Sequence, residues 1–294
     1  MLEPRVAIDR LRAAFGGPDG HRTLHAKGRF YSGTFTATPE VTTLCRARHL
    51  DGRPYPVLVR WSSASGNVRT KDPSPDVRGM GVKFAGDDGA PFDLLGQTSP
   101  SFPTNDPEVF VRIAEVSRRP QTLPLFLLRH PTLVRPLLRG TAGVKPHHSF
   151  AEADFHPLHA YGWLDAEGRR TWVRYQFRPT AGTDDRLAET FEGRDRLADE
   201  IAARLARGPV VHEVWVQVAS EGHDPDDVTT AWRGARELLA GRLEVTAEAE
   251  DPEAGGSPTV FDPTRTVDGI ELPNDPILLY RRAAYTESVR RRTR

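Results

Sequence analysis

About eight short segments of this chain read as β-strands, and their order limits the folds open to it. Residues 29–38, 55–61, 78–84, 91–96, 158–164, 170–178, 210–219 and 242–247 are rich in aromatic and β-branched types, with Gly, Asp and Pro between them. The turn Asp165-Ala166-Glu167-Gly168 predicts a hairpin joining the fifth and sixth. Helices are predicted over residues 4–16, 107–117, 122–139 (leucine-rich and interrupted by Pro131 and Pro136), 184–207 and 224–239 around Trp232. Strands grouped in sequence, with helices inserted and appended, indicate an α+β protein. The expected core is an antiparallel eight-stranded β-barrel, because closure removes exposed edges. A barrel of that size can hold one small ligand.

The chain has 294 residues, enough for one large domain or two. Its formal net charge is zero, so composition supplies no electrostatic case for a nucleic-acid partner. Cys45 is the only cysteine, which rules out an internal disulfide and agrees with a reducing compartment. Residues 1–16 are charged and amphipathic and lack the continuous apolar core of a signal peptide. No apolar run approaches the roughly 20 residues of a membrane span. The expectation is therefore a cytoplasmic protein with no nucleic-acid and no membrane partner. Residues 250–274 are rich in Pro, Gly and acid. They read either as a linker or as an extended strap that carries the last helix back under the sheet. The strap is expected, and with it a single domain over residues 1–294, because the final helix is too short to be a domain alone.

That final helix carries a chemical signal. Asp275-Pro276 is a good start, since the aspartate accepts orphan amide bonds and proline is tolerated in the first turn. Arg281 and Tyr285 are four residues apart and share a face. A guanidinium beside a phenol favours the phenolate, and a phenolate is a strong anionic ligand for ferric iron. Read alone, the stretch is an amphipathic helix with a solvated basic end.

Further motifs change that reading. Arg22-Thr-Leu-His-Ala-Lys-Gly28, Val57-Leu-Val-Arg-Trp-Ser62, Asp76-Val-Arg-Gly-Met-Gly-Val-Lys-Phe84 and the Arg281/Tyr285 helix together resemble the haem catalases. Asp93-Leu-Leu-Gly, Asp106-Pro107, Gln217-Val218, Trp232, Phe261-Asp-Pro263 and Gly269-Ile-Glu271 add to the match in family order, from about residue 22 to 292. The short chain is most similar to the catalase-related peroxidases of that superfamily.

The resemblance implies a haem b cofactor and assigns roles by position. His25 matches the distal histidine, which takes a proton from peroxide and returns it to the leaving oxygen. Ser62 matches the serine that orients it, and Gln97 stands where the family has a distal asparagine. Arg22, Arg60 and Arg292 match the arginines that bind the haem propionates, and Phe110 an aromatic ring beside the haem. Tyr285 matches the iron ligand, Arg281 the arginine that holds it as phenolate, and His159 and Asp275 the pair that anchors the arginine. Two departures stand out: Gln97 is longer than asparagine, and Trp61 replaces a phenylalanine, which suggests a bulkier shell at the site. The family's usual NADPH-binding residues are not recognisable, so no NADPH is expected.

The expected activity is reduction of hydrogen peroxide or organic hydroperoxides by a small organic reductant, with weak catalase activity. A fatty-acid hydroperoxide isomerase and a non-catalytic haem-binding barrel are the alternatives. Without an interlocking N-terminal arm, a monomer or homodimer is expected.

Overall fold

The computed structural model of the chain describes residues 2–18, 20–85 and 91–293. Helix α1 (Pro4–Phe15) comes first, then strands β1 (Gly28–Ala37), β2 (Tyr55–Ser63), β3 (Arg78–Phe84) and β4 (Phe92–Gln97). Helices α2 (Pro107–Ser117), α3 (Leu123–Arg129) and α4 (Val134–Gly140) follow. The chain then returns to β5 (Ala160–Leu164) and β6 (Arg170–Pro179), crosses helix α5 (Arg196–Leu205), and adds β7 (Val210–Val218) and β8 (Arg236–Glu248). The two-residue β9 (Ile270–Glu271) and helix α6 (Pro276–Arg292) end it.

All nine strands form one sheet in the order β4-β3-β2-β1-β8-β7-β6-β5-β9, and every ladder is antiparallel. The sheet curls on itself. Just before β5, His156 bridges to Gln97 at the end of β4, and Phe155 bridges to Phe177 in β6. The fold is thus the α+β, antiparallel barrel type expected, with one very short strand added.

The period-2 alternation of side chains decides what lies inside. Val57, Val59 and Trp61 of β2, Met80, Val82 and Phe84 of β3, and Phe92 and Leu94 of β4 join one large apolar cluster with Phe155, Trp163, Tyr175 and Phe177. Trp61 stacks on Phe150 with ring centres 5.8 Å apart, and Trp163 donates its indole N–H to the Tyr175 hydroxyl at 2.7 Å. The interior is filled, so it does not hold the ligand. Trp61 points into this core rather than thickening the shell of a site.

Two predicted helices are corrected. Residues 224–235 contain no helix, and β8 begins at Arg236 rather than 242. Arg174 explains this: its guanidinium lies 4.4 Å from the Trp232 ring and takes the carbonyls of Asp227 and Thr230, at 2.6 and 2.5 Å, that a helix would use internally. The helix predicted over 184–207 shrinks to α5. Gly193 adopts φ 89°, which breaks any helix before Asp195, and the first turn is capped from outside by Asp72, whose carboxylate accepts from the Leu197 amide at 3.0 Å. The leucine-rich stretch 122–139 divides at His130-Pro131 into α3 and α4.

Residues 250–274 run along the sheet as a strap. Lys83 donates to the Val260 carbonyl at 2.8 Å, buried Asp93 accepts from the Asp262 amide at 2.8 Å, and Tyr161 donates to the Pro263 carbonyl at 3.0 Å. Pairing of β9 with β5 then delivers the chain to α6.

Candidate active site

The outward-facing residues of β2–β4, opposite to the core set, form one wall of a cavity of about 500 Å³. Arg60 and Ser62 of β2, Gly79 and Gly81 of β3, and Leu95 and Gln97 of β4 contribute to it. Helices α1, α2, α4 and α6 enclose much of the rest, together with residues from the segments 99–103, 156–159 and 259–261. Every site residue named from the sequence lines this cavity except Asp275, which lies behind His159.

On the sheet wall, His25 sits just ahead of β1. It is the only non-glycine with positive φ among the described residues, at 55°. Such a conformation costs on the order of 1–3 kcal/mol and persists only where neighbours over-determine it. Here its amide donates to the Ala64 carbonyl at 3.0 Å, and the next amide to Ser65 at 3.1 Å. Arg60 donates to the carbonyls of His25 and Ala26, at 2.9 and 3.2 Å. Lys27 is tied to the carboxylate of buried Asp72 at 2.6 Å. The ring is held too. His25 Nδ1 lies 3.0 Å from Ser62 Oγ, and Ser62 Oγ lies 3.4 Å from the Gly79 carbonyl. A Cβ on Gly79 would come within 2.5 Å of the imidazole, so only glycine lets β3 pass against it. Burial, followed by the positive charges of Arg60, Arg281 and Arg22, lowers the His25 pKa to about 3, so the ring is neutral. Gln97 makes only a long contact, 3.5 Å, to the Ser99 carbonyl.

On the helix wall, Asp275 performs two tasks. Its Oδ1 accepts from the amides of Ile277 and Leu278, at 2.8 and 3.1 Å, and so caps α6. Its Oδ2 lies 2.5 Å from His159 Nδ1. Arg281 Nη1 lies 3.0 Å from His159 Nε2. A guanidinium can only donate, so Nε2 accepts and Nδ1 carries the proton that Asp275 receives. Arg281 in turn has its guanidinium carbon 5.9 Å from the centre of the Tyr285 ring. Burial pushes the Tyr285 phenol up, and Arg281 pulls it down in part.

At one rim the expected propionate arginines converge. Arg22 makes a two-pronged pair with Glu253, at 2.6 and 2.7 Å, and Arg292 reaches the same carboxylate at 3.0 Å. Burial, then the charge of Arg22, lowers the Arg60 pKa to about 9. The Nε atoms of Arg60 and Arg292 are buried and unpartnered. Phe110 of α2 stacks on Phe102 at 5.0 Å and borders the cavity.

Sequence reasoning missed Glu253, Phe261, His156 and Tyr280. Phe261 belongs to the strap and lies so close to β3 that a Cβ on Gly81 would meet it at 2.9 Å. His156 lines the cavity beside Gln97, and Tyr280 brings a buried hydroxyl with no partner. Phe261 and Tyr280 could have been found from the motifs that contain them. Glu253 had no local signal, because its partner Arg22 is 231 positions away.

The catalase family model matches residues 19–294. The chain is 40% identical over 300 residues to a catalase-related peroxidase of Mycolicibacterium paratuberculosis, covering 99% of this chain and 95% of that protein. It is 28% identical to a catalase-related peroxidase of Synechococcus elongatus, covering all of this chain and 89% of the relative. Against a catalase of Staphylococcus haemolyticus it is 28% identical, and there it spans 58% of the longer protein. A fungal catalase crystal structure superposes on 97% of the chain with a TM-score of 0.79 at 20% identity, over 62% of that structure, which establishes a shared fold.

Proposed function

The chain belongs to the catalase family and is an oxidoreductase that acts on peroxide, and we propose that it is a haem b peroxidase that reduces hydrogen peroxide or organic hydroperoxides with electrons from a small organic donor. The observation that carries this reading is the shared cavity, with the His25–Ser62 pair on one wall and the Asp275–His159–Arg281–Tyr285 chain on the other.

The residues present fit a haem. Tyr285 offers an oxygen donor whose anionic form is favoured by Arg281 but opposed by burial, so it needs a further cation, as ferric iron would be. Arg22, Arg60 and Arg292 gather positive charge at one rim, with two buried Nε donors unpartnered, which suits the propionates. Phe110 and Phe261 supply apolar walls. Haem, when bound, supplies the redox chemistry that breaks the O–O bond.

The chain's own residues handle the protons. With Ser62 donating to the Gly79 carbonyl, its oxygen accepts from His25 Nδ1–H. That leaves His25 Nε2 with a free lone pair, able to take a proton from the peroxide and return it to the departing oxygen. Neutral imidazole is the competent form, and the lowered pKa keeps it so. In sum, a hydroperoxide and a two-electron donor carrying two hydrogens give an alcohol, water and the oxidised donor.

Absorption spectroscopy of the purified holoprotein tests the assignment. A ferric-tyrosinate haem spectrum that disappears in Tyr285→Phe is expected. An unchanged spectrum in that variant refutes Tyr285 as the ligand, and a protein that stays colourless when haem is offered refutes the whole reading.

A further inference from the structure

Helices α3 and α4 differ from the rest of the molecule. Neither buries a single side chain. Six of the eight large apolar side chains exposed among the described residues lie on them or beside them, including Leu125 (53% exposed), Leu128 (79%) and Leu138 (65%). The same stretch is one-sided in charge. Residues 116–151 contain no Asp or Glu but six Lys and Arg, in a chain whose formal net charge is zero. Among the described residues, Arg129, Arg135, Arg139 and Lys145 have no carboxylate partner. The basic end of α6 provides the contrast, since Arg290, Arg291 and Arg292 there pair with Glu287, Asp9 and Glu253.

Exposed leucines interleaved with unpaired arginines form the kind of surface that settles at a lipid interface. The apolar side chains enter the acyl boundary, and the long cations stay with the headgroups. The charge selects the occupant. A second copy of this chain, packed two-fold on the same face, would bring cations against cations. An anionic lipid surface meets them with opposite charge, and each cation near such a surface strengthens binding on the order of fivefold. The face also borders the active-site cavity: Pro136, Leu137 and Gly140 of α4, with Thr141 and Val144 just after it, line that cavity, and Thr141 and Val144 are exposed as well.

We propose that the α3–α4 face docks on anionic membrane surfaces and that the site draws lipid-borne hydroperoxides from them. The chain needs no spanning helix for this, and no described helix is long and apolar enough to cross a membrane. The second half of the proposal rests on the peroxidase reading of the cavity, and the first half does not.

The test is co-sedimentation of the holoprotein with vesicles of phosphatidylcholine containing phosphatidylglycerol, against pure phosphatidylcholine. At least tenfold stronger partitioning to the anionic vesicles is expected, weakening as salt is added. The double variant Leu125→Asp/Leu128→Asp, whose side chains are outside the cavity lining, should lose at least tenfold in partitioning. It should keep wild-type turnover of hydrogen peroxide and consume a phospholipid hydroperoxide in anionic vesicles more slowly. Equal partitioning to both vesicle types, or unaltered partitioning of the variant, overturns the docking. So does a concentration-dependent dimer by light scattering that the variant abolishes, because the face would then belong to a second copy. Docking without faster consumption of the lipid hydroperoxide overturns the substrate half. Failure of the peroxidase reading is separately visible as a missing haem spectrum, which leaves the sedimentation result unaffected.

Discussion

The two walls of the cavity hold their polar side chains by opposite means. On the sheet wall, His25 is fixed through its backbone: two amides, two carbonyls gripped by Arg60, and a left-handed φ that those bonds sustain. On the helix wall, Arg281 is fixed through other side chains, a line from Asp275 through His159 in which each polar contact depends on the next. A wall built from backbone keeps its shape when a side chain is cut away. A wall built from linked side chains does not, because each truncation strands a buried partner.

His25→Ala should break this contrast most sharply on the chemical side. The backbone bonds remain, so haem binding and unfolding free energy should stay close to wild type. Peroxide turnover should fall about 10²–10⁴-fold, the usual worth of a positioned acid–base group. Stopped-flow kinetics alongside a haem titration separates the two. Comparable losses in both would mean that the ring also supports the wall.

Asp275→Ala is the counterpart on the other wall. It removes an N-cap, worth about 1 kcal/mol, and strands the buried His159 Nδ1–H, costing about 1–3 kcal/mol more. Urea denaturation should show about 2–4 kcal/mol of lost stability, with a disturbed haem spectrum. Asp275→Asn keeps an acceptor for the cap and should lose less. Equal losses in the two variants would assign the effect to charge rather than to hydrogen bonding.

Acid acts on the buried histidines of the filled interior as it does on His25 of the cavity. His49 and His212 lie in or against the barrel core, and burial lowers their pKa values to about 3 and about 4. Unfolded histidine titrates near 6.5, so below that pH the unfolded chain binds protons that the folded chain refuses. Stability is therefore full above about pH 6.5 and falls as pH drops toward 4, by about 1.4 kcal/mol per pH unit for each such histidine. Denaturant midpoints measured across that range check the slope. Above pH 5 the turnover rate should show no titration near 6.5, since His25 is already neutral there.

What could be read from the sequence follows the range of the interaction. Asp275-Pro276 marked the start of α6 because capping is local, and Asp106-Pro107 did the same for α2. The Arg281/Tyr285 spacing was legible from helix geometry, whereas the His159 link spans 116 residues and came only through resemblance. The helix predicted over 184–207 shortened to α5 and the one predicted over 224–239 did not form, both for non-local reasons: Asp72 caps α5 from far away, and Arg174 captures carbonyls that periodicity assigned to a helix. Trp61 was misread because Arg60 and Ser62 line the site, and the residue between them on a strand must face the other way. A zero net charge likewise concealed the cationic stretch around α3 and α4, since a sum carries no position.

Glu253 offers the finest comparison, because it joins the two walls. It belongs to the strap, yet it binds Arg22 beside the sheet wall and Arg292 at the end of α6. Burial raises its pKa, but the hydrogen bond and charge of Arg22, with Arg292, lower it further, so it is ionised. Where two haem propionates would seek the same arginines, a third carboxylate repels them and competes for donors. Glu253→Gln keeps an acceptor of the same length while removing the charge. It should tighten haem binding by roughly 1 kcal/mol, about fivefold, the scale of a partly exposed ion pair. Titration of the apoprotein with haem reads the affinity, and the gain should shrink as added salt screens the wild-type repulsion. Weaker binding in the variant would reverse the assignment. The carboxylate would then hold the two arginines in place for the propionates, and the rim would be built by linked side chains, as the helix wall is.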